Sequence, residues 1–192
     1  MGNGNTILLG NHNKGNINQL DIQLYNKAGN RVLTRSINTG DPFVEPYDLS
    51  YTASGDNGFI YTGHHIFKFD ANGNMLFKFA DTKPIVTTSH KRKQVMAADS
   101  KGTLYLGRTS KDSTSISIYT KNGTYAGSTI FNGATVSLTS LLIDKQDQLY
   151  LGGSYIGGIQ ISYQSFITRS VNNYPLGLDT FPSFLFKYAL CN

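Results

Sequence analysis

Residues Ile66–Phe79 read IFKFDANGNMLFKF. Two short runs in which aromatic residues alternate with lysine or an aliphatic residue flank the polar stretch Asp70-Ala71-Asn72-Gly73-Asn74. Side chains of a strand leave opposite faces at successive positions, so a period of two predicts strands, and Asn-Gly between two such runs predicts a hairpin. The pattern returns in IQLYNKAGNRVL (22–33) and ISIYTKNGTYAG (116–127). The turn segments Lys27–Asn30, Asn72-Gly73 and Asn122-Gly123 carry residue types that tolerate positive φ, as tight hairpins require.

The turn glycines Gly29, Gly73 and Gly123 lie 44 and 50 residues apart. A second marker recurs between them as FIYTG (59–63), LYLG (104–107) and LYLG (149–152), with ILLG (7–10) as a degenerate copy. Its glycines, Gly10, Gly63, Gly107 and Gly152, are 53, 44 and 45 residues apart. Both markers give a period of about 45 residues, the length of a four-stranded propeller blade. Each unit starts with an apolar run (Val95–Ala98, Leu141–Ile143) and a polar turn (Asp99–Gly102, Asp144–Asp147). The glycine-ended strand, a variable connection and the aromatic hairpin then follow.

The expected fold is all-β: a β-propeller-like array of about four four-stranded antiparallel blades. It forms a single domain, 1–192, with units near 6–40, 47–83, 93–133 and 139–192. Strand bookkeeping gives about three, four, four and three strands, which fits a fragment of a larger propeller, a ring closed by both ends in one blade, or an open array completed by another chain; an incomplete or assembly-dependent propeller is expected. Helix is disfavoured because no useful window has helical spacing of apolar residues and glycines interrupt every candidate. Tyr25, Phe67, Phe69 and Tyr119 are expected to pack between blades.

Composition excludes several classes. With 39% hydrophobic and 15% charged residues the chain is too apolar to be disordered. Its 20 Gly, 12 Tyr and 11 Phe suit a turn-rich β protein. A formal charge of +5 spread over 192 residues reads as a solvated surface with mild attraction to anions. The single cysteine, Cys191, excludes an internal disulfide and a Cys₄ zinc site. The N-terminal stretch has too short an apolar run for a signal peptide, and no window is long enough to span a bilayer as a helix. Gly2 and Thr6 fit a myristoylation pattern that is short and often matched by chance. The compartment is left open.

HHIFKFDANGNMLFKF (64–79), together with DSKGTLYLG (99–107), resembles the NHL repeat, in which a basic start leads through a strand and an Asp-x-x-Gly turn into a second strand. LYLGG (149–153) and the later DTFPSFLFKYAL (179–190) resemble the SBBP-type propeller repeat. The resemblance implies a propeller and transfers no active site, because its Gly, Asp and apolar positions specify turns and packing. His65 departs from the NHL pattern, which has a basic residue there. The connection from the marker glycine to the hairpin strand also varies, from 3 positions after Gly63 to 32 after Gly152.

Residues with catalytic chemistry are sparse. His12, His64, His65 and His90 have no spacing that assembles a three-His site, and no phosphate-cradling loop, nucleophile elbow or zinc-protease motif occurs. Asp70–Asn74 lacks the glutamate and glycine placement of a calcium loop and reads as a turn, as do Asp144 and Asp147. No catalytic residue, metal site or cofactor is expected. The binding candidates are Lys91, Arg92 and Lys93, in a connection expected on one rim, and Tyr155, Tyr163 and Phe166 in the long connection 153–184. The expected function is a non-catalytic binding or structural module for a protein or glycan partner, on a bacterial surface or a phage particle, with self-association completing the propeller. The alternatives are nucleic-acid binding through the 90–93 loop and a propeller hydrolase or lyase whose acids converge on a channel.

Overall fold

The computed structural model describes residues 6–14, 17–38, 50–54, 57–81, 93–109, 114–132, 135–156, 160–163 and 183–188. Among these there is no helix; fifteen strands form four antiparallel sheets. The chain divides into two compact units, 1–84 and 85–192.

In the first unit, β1 (Thr6–Lys14), β2 (Ile17–Tyr25) and β3 (Arg31–Asn38) form one sheet in that order. β4 (Ser50–Ser54), β5 (Asn57–Tyr61), β6 (His65–Phe69) and β7 (Met75–Ala80) form a second. The stretch Ile66–Phe79 lies in the β6–β7 hairpin, with Phe67 opposite Lys78 and Lys68 opposite Phe77. Leu20 and Ile22 of the first sheet pack on Ile60, Phe67 and Phe69 of the second, with Leu9 and Ile37 alongside. Each of those five central residues is at most 2% exposed, so the two sheets stack apolar face on apolar face. Strand β3 shows the two-residue period directly: Leu33, Arg35 and Ile37 are half-buried, while Val32, Thr34, Ser36 and Asn38 are exposed.

In the second unit, β8 (Lys93–Ala98), β9 (Leu104–Thr109), β10 (Thr114–Tyr119) and β11 (Tyr125–Asn132) form a sheet in chain order. β12 (Thr135–Ile143), β13 (Leu149–Ile156) and β15 (Ser183–Tyr188) form another. Ala97, Tyr105, Ile116, Ile118 and Phe131 pack on Leu138, Leu141, Leu149 and Leu151. A bulge at Leu138 interrupts the β12 ladder, and its N–H finds Thr109 Oγ1 at 2.9 Å on the facing sheet. A buried donor freed by the bulge is thereby satisfied across the interface.

The strand numbers are three, four, five and three. The fifth strand of the third sheet is β14 (Gln160–Tyr163), which comes from the long connection after β13 and pairs antiparallel with β11. Sequence periodicity missed it because four residues are too few to register a period of two. Marker equivalence holds for Gly107 and Gly152, which lie within β9 and β13, but not for Gly63. Gly63 follows β5 and, at φ +89°, is the first central residue of the turn Thr62–His65, in which Thr62 N–H donates to His65 O at 3.0 Å. Glycine at that place matches a II′ hairpin.

Candidate functional site

Five connections share one design: 26–30, 70–74, 99–103, 120–124 and 144–148. In each, the first N–H donates to the fifth carbonyl and the fourth N–H returns to the first carbonyl, at 2.8–3.0 Å. The fourth residue has positive φ: Gly29 (+77°), Gly73 (+75°), Gly102 (+83°), Gly123 (+82°) and Asp147 (+57°). This is the three-residue hairpin, a type I turn followed by a left-handed residue that makes a G1 bulge. The Asn-Gly reading therefore needs one correction. Asn72 and Asn122 do not have positive φ, and only the glycines carry that conformation.

The first residue explains why the turn recurs. Asn26 Oδ1 accepts from the N–H of Ala28 and Asn30, each at 3.0 Å. Asp70 Oδ1 accepts from Asn72 N–H (2.9 Å) and Asn74 N–H (2.8 Å), and its Oδ2 from Asn74 Nδ2 (2.8 Å). Asp144 Oδ1 accepts from Gln146 N–H and Gln148 N–H, and Tyr150 Oη donates to its Oδ2. Asp99 takes Thr103 N–H at 2.7 Å and Thr120 takes Thr124 N–H at 3.2 Å. A short side chain thus satisfies turn donors that would otherwise need water. The Asp70 carboxyl is held below the usual range, chiefly by its bonds to the Asn74 side chain and backbone.

Within each unit, turns are clasped to the neighbouring sheet. Arg35 on β3 donates to Gly73 O and to Asn74 Oδ1, both at 3.2 Å. Asp147 accepts from Ser100 N–H at 2.8 Å and from Ser100 Oγ at 2.5 Å. The Ser100 bonds lower the Asp147 pKa, with a smaller contribution from Lys101. Turns 99–103 and 120–124 also touch: a Cβ on Gly102 would lie 3.3 Å from Lys121 Cβ. Three turns therefore gather at one end of the second unit. They present exposed Lys101, Lys121 and Lys145 among Asp99, Asp144 and Asp147, so both signs of charge are interspersed. Such a rim lacks the single-sign field that concentrates a polyanion.

Other polar groups are buried in the sheets. Arg108, 1% exposed, donates from Nη1 to Ser117 Oγ at 2.8 Å and points Nη2 at Tyr119 Oη at 3.5 Å. The Tyr61 hydroxyl lies 2.7 Å from both Gly63 O and Asp81 Oδ2, closing the end of the β5–β6–β7 hairpins. Tyr105 is pushed well above its ordinary pKa, first by burial and then by the nearby charges of Asp99 and Asp147. Among the described residues, no group of three His, Cys, Asp or Glu is arranged to hold a metal. Among the described residues no helix long and apolar enough to cross a membrane occurs.

The binding candidates named from sequence fall unevenly. Lys91, Arg92 and Phe166 lie outside the described residues. Lys93 opens β8, Tyr155 lies opposite Val136 on β13, and Tyr163 ends β14 opposite Thr129; of these three only the backbone is described. Tyr25 is half-buried with its hydroxyl donating to Gln23 Oε1, whereas Phe67, Phe69 and Tyr119 are buried. His64 sits in the β5–β6 link, where its carbonyl accepts Asp81 N–H, and the His65 ring tilts against Phe67. The clasps through Arg35 and Asp147 went unread in the sequence. The one signal for the second was an aspartate where four sister turns carry glycine.

No family model and no curated protein sequence matches the chain. Among solved structures the chain is similar to PorZ, described as an essential bacterial surface component of the type-IX secretion system of Porphyromonas gingivalis. The identity is 14% and the TM-score 0.47; the match covers 86% of this chain and 27% of that one. A likeness this distant transfers no function to this chain.

Proposed function

We propose that this chain is a non-catalytic binding or structural module built from β-propeller-type repeats, which engages a protein or glycan partner through its variable connections and strand edges. The observation that carries this reading is how its carboxylates are employed. Of 12 Asp and Glu, six lie among the described residues: Asp21, Asp70, Asp81, Asp99, Asp144 and Asp147. Each accepts a hydrogen bond from a structural donor: Ser36 for Asp21, Tyr61 for Asp81, Ser100 for Asp147, and turn N–H groups for the rest. A general acid or base has to be available to a substrate, whereas each of these six is engaged by donors of the fold itself. The recurring turn, the stacked sheets and the variable connections support a scaffold of repeats.

The test is capture by the immobilised full chain from intact cells, from a panel of polysaccharides and from nucleic acid. Saturable retention of one class, abolished by heat-unfolding the bait, is the expected result. Turnover of a hydrolase or lyase substrate at enzyme-like rates would refute the reading.

A further inference from the structure

We infer that the outer edge of β3, from Thr34 to Ile37, is a docking site for an extended peptide segment that adds as a fourth strand to the first sheet. This deepens the proposed function by naming a mode of partner capture, and it rests on that reading. The third sheet supplies the precedent. There the corresponding strand, β11, does not end the sheet: Gln160–Tyr163 pairs with it antiparallel, setting Tyr163 opposite Thr129, Ser162 opposite Ile130 and Ile161 opposite Phe131.

β3 and β11 correspond residue by residue. Both are eight residues long, both leave the same turn, and both carry a bulge at the same place. Tyr25 opposite Arg31 and Leu24 opposite Leu33 match Tyr119 opposite Tyr125 and Ile118 opposite Gly127. Counting on from the bulge, Arg35, Ser36 and Ile37 stand where Thr129, Ile130 and Phe131 stand. In the third sheet those three positions face Tyr163, Ser162 and Ile161, whereas among the described residues β3 has β2 as its sole sheet neighbour. β7 is a poorer candidate, since it stops at Ala80 and the N–H of the next residue, Asp81, turns to His64 O.

Face chemistry defines the occupant. Ile37 and Arg35 are half-buried on the packed side, and Ser36 and Thr34 are exposed on the other. A segment continuing both faces must alternate apolar and polar residues. It needs an aliphatic residue beside Ile37 and an aromatic one beside Arg35, whose guanidinium is already drawn toward Gly73 and Asn74. An aromatic ring beside a guanidinium gains stacking and cation–π attraction. Gln160-Ile161-Ser162-Tyr163 itself has this pattern, so the occupant is an extended peptide of the form polar–aliphatic–polar–aromatic. Main-chain ladder bonds supply the affinity and the alternating side chains the selectivity.

The probe is the capped peptide of residues 159–165, IQISYQS, titrated into the full chain with amide hydrogen exchange read residue by residue. The expected result is saturable slowing of exchange in β3 by about tenfold at outward-facing amides between Thr34 and Ile37, with no effect from a scrambled peptide. Ser36→Pro and Ile37→Pro are made separately, since neighbouring amides alternate between the β2 ladder and the open edge. The variant whose lost N–H faces outward is expected to keep the far-UV spectrum and lose the protection. No protection at millimolar peptide, protection confined to β11, or protection that survives both proline variants would overturn the edge site. A captured partner whose exchange footprint lies elsewhere would also overturn it while leaving the binding-module reading standing; failure to capture any partner refutes that reading instead.

Discussion

Gly10, Gly107 and Gly152 share a sequence pattern, yet the structure assigns them different costs on substitution by alanine. At Gly107 an added Cβ would lie 2.9 Å from Val95 Cγ2, 3.0 Å from Leu138 Cδ1 and 3.2 Å from Leu141 Cδ1. Leu138 and Leu141 are buried, 0% and 9% exposed, and have no solvent to swing into. Overpacking of that kind costs about 1–3 kcal/mol. At Gly152 the obstacle is Ser140 Oγ at 2.5 Å, on an exposed side chain that can rotate toward water, so the cost is smaller. At Gly10 the nearest atom is Asp21 Cβ at 3.8 Å, an ordinary contact, and φ is not positive. Alanine there restricts the unfolded chain and is expected to stabilise by about 0.4–1 kcal/mol. The assay is equilibrium urea unfolding followed by far-UV circular dichroism. Hydrogen exchange assigns each transition, because two compact units need not unfold together. The expected order of stability is Gly10→Ala, wild type, Gly152→Ala, Gly107→Ala. If Gly10→Ala destabilises as much as Gly107→Ala, shared sequence rather than local packing governs these sites and the reasoning fails.

Five further outcomes follow from the turns and the buried tyrosine. Gly29→Ala meets no atom within 4 Å and bears only the left-handed penalty of about 1–2 kcal/mol, whereas Gly73→Ala adds a clash with Leu33 Cδ2; urea midpoints should rank Gly73→Ala lower. Thr120→Asp places a carboxylate where the sister turns use one to accept two N–H groups, and should raise stability by about 0.5–1 kcal/mol; a lowered midpoint would contradict the turn account. Asp147→Ala keeps the left-handed backbone and loses Ser100, while Asp147→Gly also relieves the backbone, so Asp147→Gly should be the more stable of the two. Because hydrogen bonds from Ser100 hold the Asp147 carboxyl below the usual carboxylate range, its contribution is present at neutral pH and fades in acid as that range is passed; the melting-temperature gap between wild type and Asp147→Ala should close in acid. The raised pKa of Tyr105 acts with the opposite sign: its contribution holds below about pH 10 and is lost above it, so wild type should weaken relative to Tyr105→Phe in alkali.

The all-β class, the four antiparallel sheets and the hairpins around Gly29, Gly73 and Gly123 were legible because they rest on local chemistry. Alternation marks a strand within six residues, and a glycine after Asp, Asn or Thr marks its turn. What escaped depends on distance in space. Asp147 reaches Ser100 across 47 positions of sequence, and Arg35 reaches Gly73 across 38. Nothing in either neighbourhood announces the partner. β14 escaped for another reason: its pairing is decided by an available edge on β11 rather than by its own four residues. Gly63 misled because FIYTG and LYLG look alike, although a glycine of positive φ in a link and a glycine under close packing in a strand answer different physical demands. Of the binding candidates, Lys91, Arg92 and Phe166 fall outside the described residues, and the polar rim that is described carries mixed charge.

The recurring turn explains where variation can accumulate. A first residue that accepts N–H groups from the third and fifth closes the hairpin with its own atoms, as Asp70 and Asp144 do, so each turn forms without help from the rest of the fold. With one end of each sheet fixed in this way, strand register is set locally, and the links at the opposite end are free to differ in length without disturbing it. They do differ: three residues separate β5 from β6, four separate β9 from β10, and the connection leaving β13 includes a strand of another sheet before β15. What sets one sheet apart from another therefore lies in features the turns do not impose, namely those links and the edges to which they deliver strands. The β11 edge already holds one such strand, and the matching edge of β3 has the same length, bulge and register.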